Sequence, residues 1–352
     1  MIEFSICIPN FNYEKYIGIT LDSVVKQTYS HFNVFVTDNA STDDSIKVIS
    51  RFAEIDKRIV FKVNTTNVGF AGNLDKCGSM ADKKWMIMLS SDDVVLPEAL
   101  SEYQRFIKLL PNTEKSAFSS TFEKIDSEGR YLSFIRPSPK LWKESDVEKE
   151  LSAEMGCTVY KVESKEMLKR CLTSFYNPFN FAATCYLNNS YQLVNGYGGG
   201  RVYNPDKWFH WKIMTVTDFV YFIDKPLFQY RWHQQNQQAS QQDTDDLKFW
   251  FDEYRNCFDI EETMLEKASF SREEMIMQYC NHLIKYVAAD IRKNHLNSAK
   301  RLLHWGKACY PKYFSKHRFY LLLLLLSRLG YLGSFLCELM YKANKKFLGI
   351  NF

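Results

Sequence analysis

The chain has 352 residues, enough to bury a full core in one large or two modest domains. Its hydrophobic content of 46% and charged content of 24% are ordinary for a globular protein. The net charge of +4 is concentrated at one end: residues 311–352 hold seven Lys/Arg against the single acid Glu338, so the remainder is mildly acidic and offers no surface for nucleic acid. Nine cysteines lie scattered without a C-x-x-C, which argues against a zinc site and a thioredoxin motif. Reduced thiols in a cytosolic compartment are the simplest reading, with Cys7 a small core residue of an apolar strand. A strand pattern begins directly after Met1, so no signal peptide is expected.

Residues 3–9 read as a short strand ending at Pro9, and Asn12 is placed to cap the helix that follows. In that helix Ile17, Leu21, Val24 and Val25 recur at i, i+4, i+7 and i+8, a helical stripe. Residues 32–37 form a second strand, closed by Asp38 and the loop Asn39-Ala-Ser-Thr-Asp43. Ile46, Ile49 and Phe52 carry the next helix. Residues 59–63 make a third strand, and Asn67-Val-Gly-Phe-Ala-Gly72 leads into a helix through Leu74, Cys77 and Ala81. Residues 85–90 make the fourth strand, with Pro97 at the start of the helix after it. These four alternations predict an α/β protein, a mostly parallel sheet with helices on both faces. Residues 116–135 read as strands around the turn Asp126-Ser-Glu-Gly129, and residues 141–200 are mixed. The Gln-rich stretch Gln234–Gln242 reads as a boundary or mobile lid. From about residue 244 helical periodicity dominates. Leu247, Trp250, Phe251, Tyr254 and Phe258 share a face, and Ser271 with Glu274 forms a capping box.

The segment Trp85-Met-Ile-Met-Leu-Ser-Ser-Asp-Asp93 is an apolar strand that ends in two adjacent carboxylates. Like charges repel at the mouth of a core strand. The pair therefore points to a divalent cation, which in turn favours phosphate oxygens. A plainer explanation is a helix N-terminus, where Ser91 or Asp92 caps and acids suit the dipole. Three loops, 9–13, 38–43 and 91–93, leave the carboxyl ends of three parallel strands. In an open α/β sheet such loops converge on one ligand crevice.

Five segments occur in order: Ser5-Ile-Cys-Ile-Pro-Asn-Phe-Asn12, Ser23-Val-Val-Lys-Gln-Thr28, Val36-Thr-Asp-Asn-Ala-Ser-Thr-Asp43, Asn67-Val-Gly69 and Ser90-Ser-Asp-Asp93. Together they resemble family 2 glycosyltransferases of the GT-A fold, the inverting nucleotide-sugar enzymes. The resemblance is dense over residues 3–110 and continues sparsely to residue 235. It implies a GT-A catalytic domain at 1–240, with a nucleotide-binding half at 1–110 and an acceptor-binding half at 111–240, then a helical region at 241–352. It implies that Pro9, Asn10 and Phe11 cover the nucleotide base and that Asp38 lies in the base-recognition motif. Asn39 stands where a second acid is usual. An Asn both donates and accepts, so base recognition is altered and UDP-, dTDP- and GDP-sugars stay open. Asp92 would contact the ribose, and Asp93 would bind Mg²⁺ or Mn²⁺ at the diphosphate.

Asp206, in Asn204-Pro-Asp-Lys-Trp-Phe-His-Trp-Lys212, is implied as the base that deprotonates the acceptor hydroxyl. Taken alone it is an N-terminal helix acid after Pro205. Arg231 and His233, in Tyr230-Arg-Trp-His233, are implied at the diphosphate or metal as a loop closes. Taken alone they belong to an aromatic–basic turn. His210 reads as packing or helix surface. Gly196-Tyr-Gly-Gly-Gly200 lacks the lysine and the spacing of a phosphate loop and reads as a mobile turn near the acceptor.

Phe319, Tyr320 and Leu321–Leu326 make eight unbroken apolar residues, short of the roughly 20 needed to span a bilayer. Ser327, Ser334, Glu338 and Lys345 fall near one helical face, with Leu and Phe opposite. Lys312, Lys316, Arg318, Lys342, Lys345 and Lys346 flank the run, which suits an interfacial helix on anionic lipid. A helix packed on the domain or on a second subunit is the alternative. The expected whole is a metal-dependent inverting glycosyltransferase acting on a glycan or lipid-linked glycan in bacterial surface polysaccharide synthesis. It would be cytoplasmic and peripheral on the cytoplasmic face of the membrane, with a homo-oligomer left open. The rivals are a sugar nucleotidylyltransferase and a degenerate glycan-binding scaffold. The first would want a Gly-rich loop with Arg and Lys where Pro9-Asn-Phe-Asn-Tyr13 stands. The joint presence of Asp92, Asp93 and Asp206 speaks against the second.

Overall fold

The first strand, Phe4–Asn10 (β1), is buried at every position. Its near-continuous apolar run suits a strand covered on both faces by helices. The computed structural model describes residues 1–111, 113–198, 204–233 and 246–348. The chain divides into two compact units, one of Met1–Cys171 with Tyr176–Asp243, the other of Leu172–Phe175 with Thr244–Phe352.

In the first unit β1 is followed by α1 (Glu14–Val25), β2 (Phe32–Asp38), α2 (Ser45–Ile55), β3 (Ile59–Val63), α3 (Phe70–Gly78), β4 (Trp85–Met88), β5 (Val94–Val95) and α4 (Ala99–Leu109). Then come β6 (Ser116–Ile125), β7 (Tyr131–Ile135), α5 (Lys149–Met155), β8 (Val159–Glu163), α6 (Ser164–Ser174), β9 (Cys185–Leu187), α7 (Asn188–Leu193), α8 (Pro205–Val216) and β10 (Phe219–Arg231). One ten-stranded sheet has the order β3-β2-β1-β4-β9-β6-β10-β5, with β7 paired to β6 and β8 to β10. β1 runs parallel to both β2 and β4. The chain steps outward through β1, β2 and β3, then returns to β4 on the other side of β1. A ligand crevice opens at the carboxyl strand ends where the strand order reverses in this way. Right-handed crossovers put α1 and α2 on one face of the sheet and α3 on the other. Ile6, Ile8, Val34, Val36, Ile87 and Phe118 belong to the buried core.

The expected strands and helices of the first 110 residues are present, with shifted ends. β1 continues to Asn10 and β2 to Asp38, so both polar residues are ladder members that pair in register. β4 stops at Met88. Asn12 does not cap α1: Tyr13 holds the N-cap position, and Asn12 adopts φ +57° and accepts from the Thr42 N–H. Pro97 precedes the Glu98 cap of α4. The antiparallel strands carry little periodic signal. β9 has three residues, yet it joins β4 to β6 across the sheet.

The second unit is helical: α9 (Asp246–Phe258), α10 (Glu262–Ala268), α11 (Arg272–Arg292), α12 (Leu296–Cys309), α13 (Pro311–Phe314), α14 (Tyr320–Leu326) and α15 (Gly330–Leu348). α11 starts with the expected capping box, Ser271 accepting from Glu274 N and Glu274 from Ser271 N. Tyr279, Leu283, Val287 and Ile291 of α11 are fully buried. Gly306 of α12 lets Phe314 and Leu283 approach, since a Cβ there would lie 2.5 Å and 2.7 Å from them. The apolar tail is not one helix. α14 ends at Leu326, and α15 restarts at Gly330 with φ +58°, a left-handed backbone that favours glycine. Of the stripe on α9, Trp250 is buried, whereas Phe258 is exposed. Among the described residues no helix is long and apolar enough to cross a membrane.

Candidate active site

Asn10 and Asp38 end neighbouring parallel strands in register. Asn10 Nδ2 donates to Asp38 Oδ2 at 2.7 Å, and Ser41 donates to the same carboxylate from its N–H and its hydroxyl, both at 2.7 Å. Asp38 is thereby locked as the anchor of its own loop, and it is fully buried. The loop after β1 is tied to it as well, since Asn12 N donates to Ser41 Oγ. Asn10 Oδ1 remains a buried acceptor with no partner among the described residues. Pro9 is buried, whereas Phe11 is exposed at the rim of this loop.

Asn39 is also buried, and its amide is fully engaged. Nδ2 donates to Asn67 Oδ1 and the Gly69 carbonyl, while Oδ1 accepts from Asn64 Nδ2 and Val68 N. An Asn offers two donors and two acceptor lone pairs, so nothing on this side chain is left over. Asn39 thus joins the end of β2 to the Asn67-Val-Gly69 segment. Only an amide can do so, because a carboxylate would lose both donations.

The acid loop is held from behind by α1. Thr20 Oγ1 donates to the Ser91 and Asp93 carbonyls at 3.0 and 2.8 Å. Ser23 Oγ accepts from Val95 N, and Gln27 bonds the Leu96 carbonyl and the Leu100 N–H. This explains the Ser23-Val-Val-Lys-Gln-Thr28 segment, whose polar residues sit on an otherwise apolar helix face. Sequence reasoning noted that segment without assigning it a task and missed Thr20. A lone hydroxyl within an apolar stripe was the available signal.

The far end of the sheet completes the site. β10 delivers Arg231 and His233 to the two acids across 138 to 141 residues of chain. Arg231 N donates to Asp93 Oδ1 at 3.0 Å, Arg231 Nε donates to the Asp92 carbonyl at 2.9 Å, and His233 Nε2 lies 3.0 Å from Asp92 Oδ2. Tyr13, Tyr16 and Tyr230 surround them. The Tyr16 ring lies 4.5 Å from His233 and 5.2 Å from the Arg231 guanidinium. Asp92, Asp93, Arg231 and His233 are all buried. Burial and the Asp92 charge push the Asp93 carboxyl well above the usual carboxylate range, against the opposing pull of Arg231. The Tyr13 and Tyr230 hydroxyls are raised too, by burial and then by the same two acids.

Among the described residues no three His, Cys, Asp or Glu form a metal cage. Mg²⁺-type ions are usually held by one or two carboxylates plus substrate phosphates. Two crowded, buried acids at a strand mouth fit that donor set.

Asp206 belongs to a second polar cluster. It sits half-buried in the first turn of α8 behind Pro205. Asn177 Nδ2 donates to Asp206 Oδ2 at 2.7 Å, and Asn177 Oδ1 accepts from His210 Nδ1 at 2.8 Å and from Phe179 N. The two donors at Oδ1 fix the amide orientation, and with it the Nδ1–H tautomer of His210. Burial holds His210 down to about 3, so the ring is neutral, and its Nε2 has no hydrogen-bond partner among the described residues. Burial raises the Asp206 carboxyl, opposed by Lys207, backbone N–H groups at the helix start and Asn177.

The Gly196-Tyr-Gly198 turn, expected to be mobile, is pinned instead. Tyr197 stacks on Phe209 at 4.3 Å and its N–H donates to Asp75, while Lys212 donates to the Gly196 carbonyl. A Cβ at Gly196 would fall 2.6 Å from the Asp75 carboxylate. Gly199, Gly200 and the candidate lid Gln234–Gln242 lie outside the described residues.

A mostly parallel sheet that reverses strand order at β1, with an acid pair at the mouth of β4, is the GT-A fold. The crystal structure of Staphylococcus aureus TarS 1–349 in complex with UDP-GlcNAc shares it, with a TM-score of 0.57 at 18% identity over 90% of this chain and 92% of that one. The family model for glycosyl transferase family 2 matches residues 5–172, so that segment is similar to this family. An uncharacterized glycosyltransferase of Methanocaldococcus jannaschii is 28% identical over 132 residues, 37% of this chain and 45% of that protein. The poly(ribitol-phosphate) β-N-acetylglucosaminyltransferase TarS of Staphylococcus aureus is 28% identical over 109 residues, 30% of this chain and 19% of that protein. The matched stretch thus spans less than half the length of these curated relatives.

Proposed function

We propose that this chain transfers a sugar, with inversion, from a nucleotide-diphosphate donor to a hydroxyl of a glycan acceptor. The observation that carries the reading is the closure of Arg231 and His233 onto Asp92 and Asp93 at the strand-order reversal. In this reading Pro9, Asn10 and Phe11 border the base. Asp38 and Asn39 hold the two loops that flank it. The unpartnered Asn10 Oδ1 suits a ring N–H, which uracil, thymine and guanine all carry. Asp92 faces the ribose, with His233 fixing its carboxylate. Asp93, with the phosphate oxygens of the donor, would hold Mg²⁺ or Mn²⁺, which supplies charge stabilisation for the leaving diphosphate when bound. Arg231 keeps a buried positive charge beside that leaving group. Asp206 takes the proton from the acceptor hydroxyl on the face opposite the leaving group, and burial raises its pKa, the direction that strengthens a carboxylate base. TarS is named for N-acetylglucosamine transfer and is solved with UDP-GlcNAc, which makes a UDP-sugar the first donor to test.

The acceptor we favour is a surface-polysaccharide glycan, lipid-linked, met at the cytoplasmic face of a membrane. The basic, leucine-rich tail supports that setting. The experiment is a thermal-shift panel of UDP-, dTDP- and GDP-sugars with and without Mn²⁺. A ligand that binds only the native state raises the transition temperature with concentration. We expect a Mn²⁺-dependent rise with at least one donor. A flat response to every donor would remove the reading.

A further inference from the structure

We infer that α14 and α15 form a docking face for an anionic phospholipid surface, made of the large apolar residues that the two helices leave exposed. This deepens the membrane setting proposed above and does not depend on the catalytic assignments. A helix on a water-soluble domain ordinarily buries its apolar stripe and exposes its polar one. On α14 the inward residues are Tyr320, Leu323 and Leu326, as that rule expects, but at the helix junction and on α15 the inward residues are small or polar. Ser327 and Ser334 are buried, Ser334 Oγ donating to Asn294 Oδ1 and Ser327 Oγ to the Leu324 carbonyl. Cys337 is buried beside them, with its Sγ 3.6 Å from the Ala288 carbonyl of α11.

The outward residues are large and apolar. Leu321 is 72% exposed, Tyr331 81%, Leu332 57% and Phe335 61%. Leu325 on α14 and Leu336 and Leu339 on α15 extend the same surface. The two helices are held in this pose at Gly333, where a Cβ would lie 1.9 Å from the Leu326 carbonyl oxygen. A contiguous apolar surface of this kind on a soluble protein marks an interaction site.

Charge selects the occupant. Lys312, Lys316, Arg318, Arg328 and Lys342 are all exposed, and the single acid of residues 311–352, Glu338, is already engaged by Lys342 at 3.3 Å and Arg292 at 4.0 Å. A second copy would meet this face through a two-fold interface, which sets the same patch against itself. That would bring one basic rim against another. An anionic bilayer presents the opposite charge and an apolar interior to the same surface.

The test is flotation of the full chain with vesicles of phosphatidylcholine alone and of phosphatidylcholine mixed with phosphatidylglycerol. We expect flotation with the mixed vesicles, weakened by salt. The exposed pair Leu332→Ser/Phe335→Ser should lower the bound fraction by roughly tenfold or more. The surface triple Lys312→Gln/Arg318→Gln/Arg328→Gln should weaken binding by on the order of fivefold per charge and erase the preference for phosphatidylglycerol. All five positions are exposed, and circular dichroism verifies that each variant keeps its helices. The inference is overturned if the parent chain stays unbound with both vesicle types, or if the apolar pair floats as well as the parent. A dimer seen by sedimentation that Leu332→Ser/Phe335→Ser dissolves would assign the face to a second copy instead. Donor thermal shifts on the same variants should match the parent chain, which keeps failure of the nucleotide site distinguishable from failure of the membrane face.

Discussion

Asp93 works against the stability of the empty protein. Its folded pKa is raised by burial and by Asp92, so the folded chain holds that proton more tightly than the unfolded chain does. The sign follows directly. Stability is lost as pH rises above the ordinary carboxylate range, and the full deficit is present once the group is ionised in both states. Asp93→Asn removes this deficit while still offering an acceptor to the Arg231 N–H. At neutral pH we expect the ligand-free variant to melt at or above the parent temperature and to lose the Mn²⁺-dependent donor shift. A variant that melts lower and keeps the shift would contradict both roles.

Asp206 and Asn177 make a second residue-scale case. Asp206→Asn should leave donor affinity near normal and reduce transfer by roughly 10²–10⁴-fold, the usual span for a positioned base. Asn177 acts through Asp206, donating to the charged form and steadied by His210 and Phe179. Its loss in Asn177→Ala favours the protonated acid. The acidic limb of the pH–rate profile should therefore move to higher pH, with donor KM unchanged. Lys207 and Tyr197 also face Asp206 and stay in place as an internal constant. A fall in kcat with an unmoved profile would make Asn177 purely structural. Asn39 shows why identity alone misleads. It stands where a second acid is usual, which invites a specificity role, yet its amide is saturated by the loop at residues 64–69. Asn39→Asp should weaken UDP, dTDP and GDP binding alike, by calorimetry.

At the scale of elements, the nucleotide half was legible because each strand there is an apolar run with a polar stop. The loops after β1 and β2 do meet, through Asn12 and Ser41, and the acid loop at Ser91–Asp93 is tied to α1 through Thr20. The arrival of Arg231 and His233 was legible only through resemblance, because no local period connects β10 to β4. β5, β8 and β9 have two to five residues and take their conformation from neighbours in the sheet, so pattern alone could not place them. The α14–α15 break was missed because leucine favours a helix on both sides of it. Gly330 and Gly333 were the signal. The α1 clamp gives the element-scale prediction. Thr20→Val keeps shape and removes the hydroxyl that bonds both the Ser91 and Asp93 carbonyls. Two buried carbonyls then lose that donor, which costs about 1–3 kcal/mol by denaturant unfolding. Metal-dependent donor affinity should fall with it, since the acid loop loosens. Unchanged donor affinity would show that α1 does not set the loop.

For the molecule as a whole, the body is mildly acidic and the net positive charge comes from the tail. The central claim is that the crevice at β1 and β4 takes a nucleotide-sugar through a cation at Asp93. Calorimetric titration of UDP-GlcNAc, then of dTDP- and GDP-sugars, into the full chain tests this most directly, with Mn²⁺ present or chelated. We predict saturable binding of at least one donor that requires Mn²⁺ and is lost in Asp93→Asn. Binding that survives both chelation and Asp93→Asn, or no binding of any donor by the folded parent chain, would contradict it.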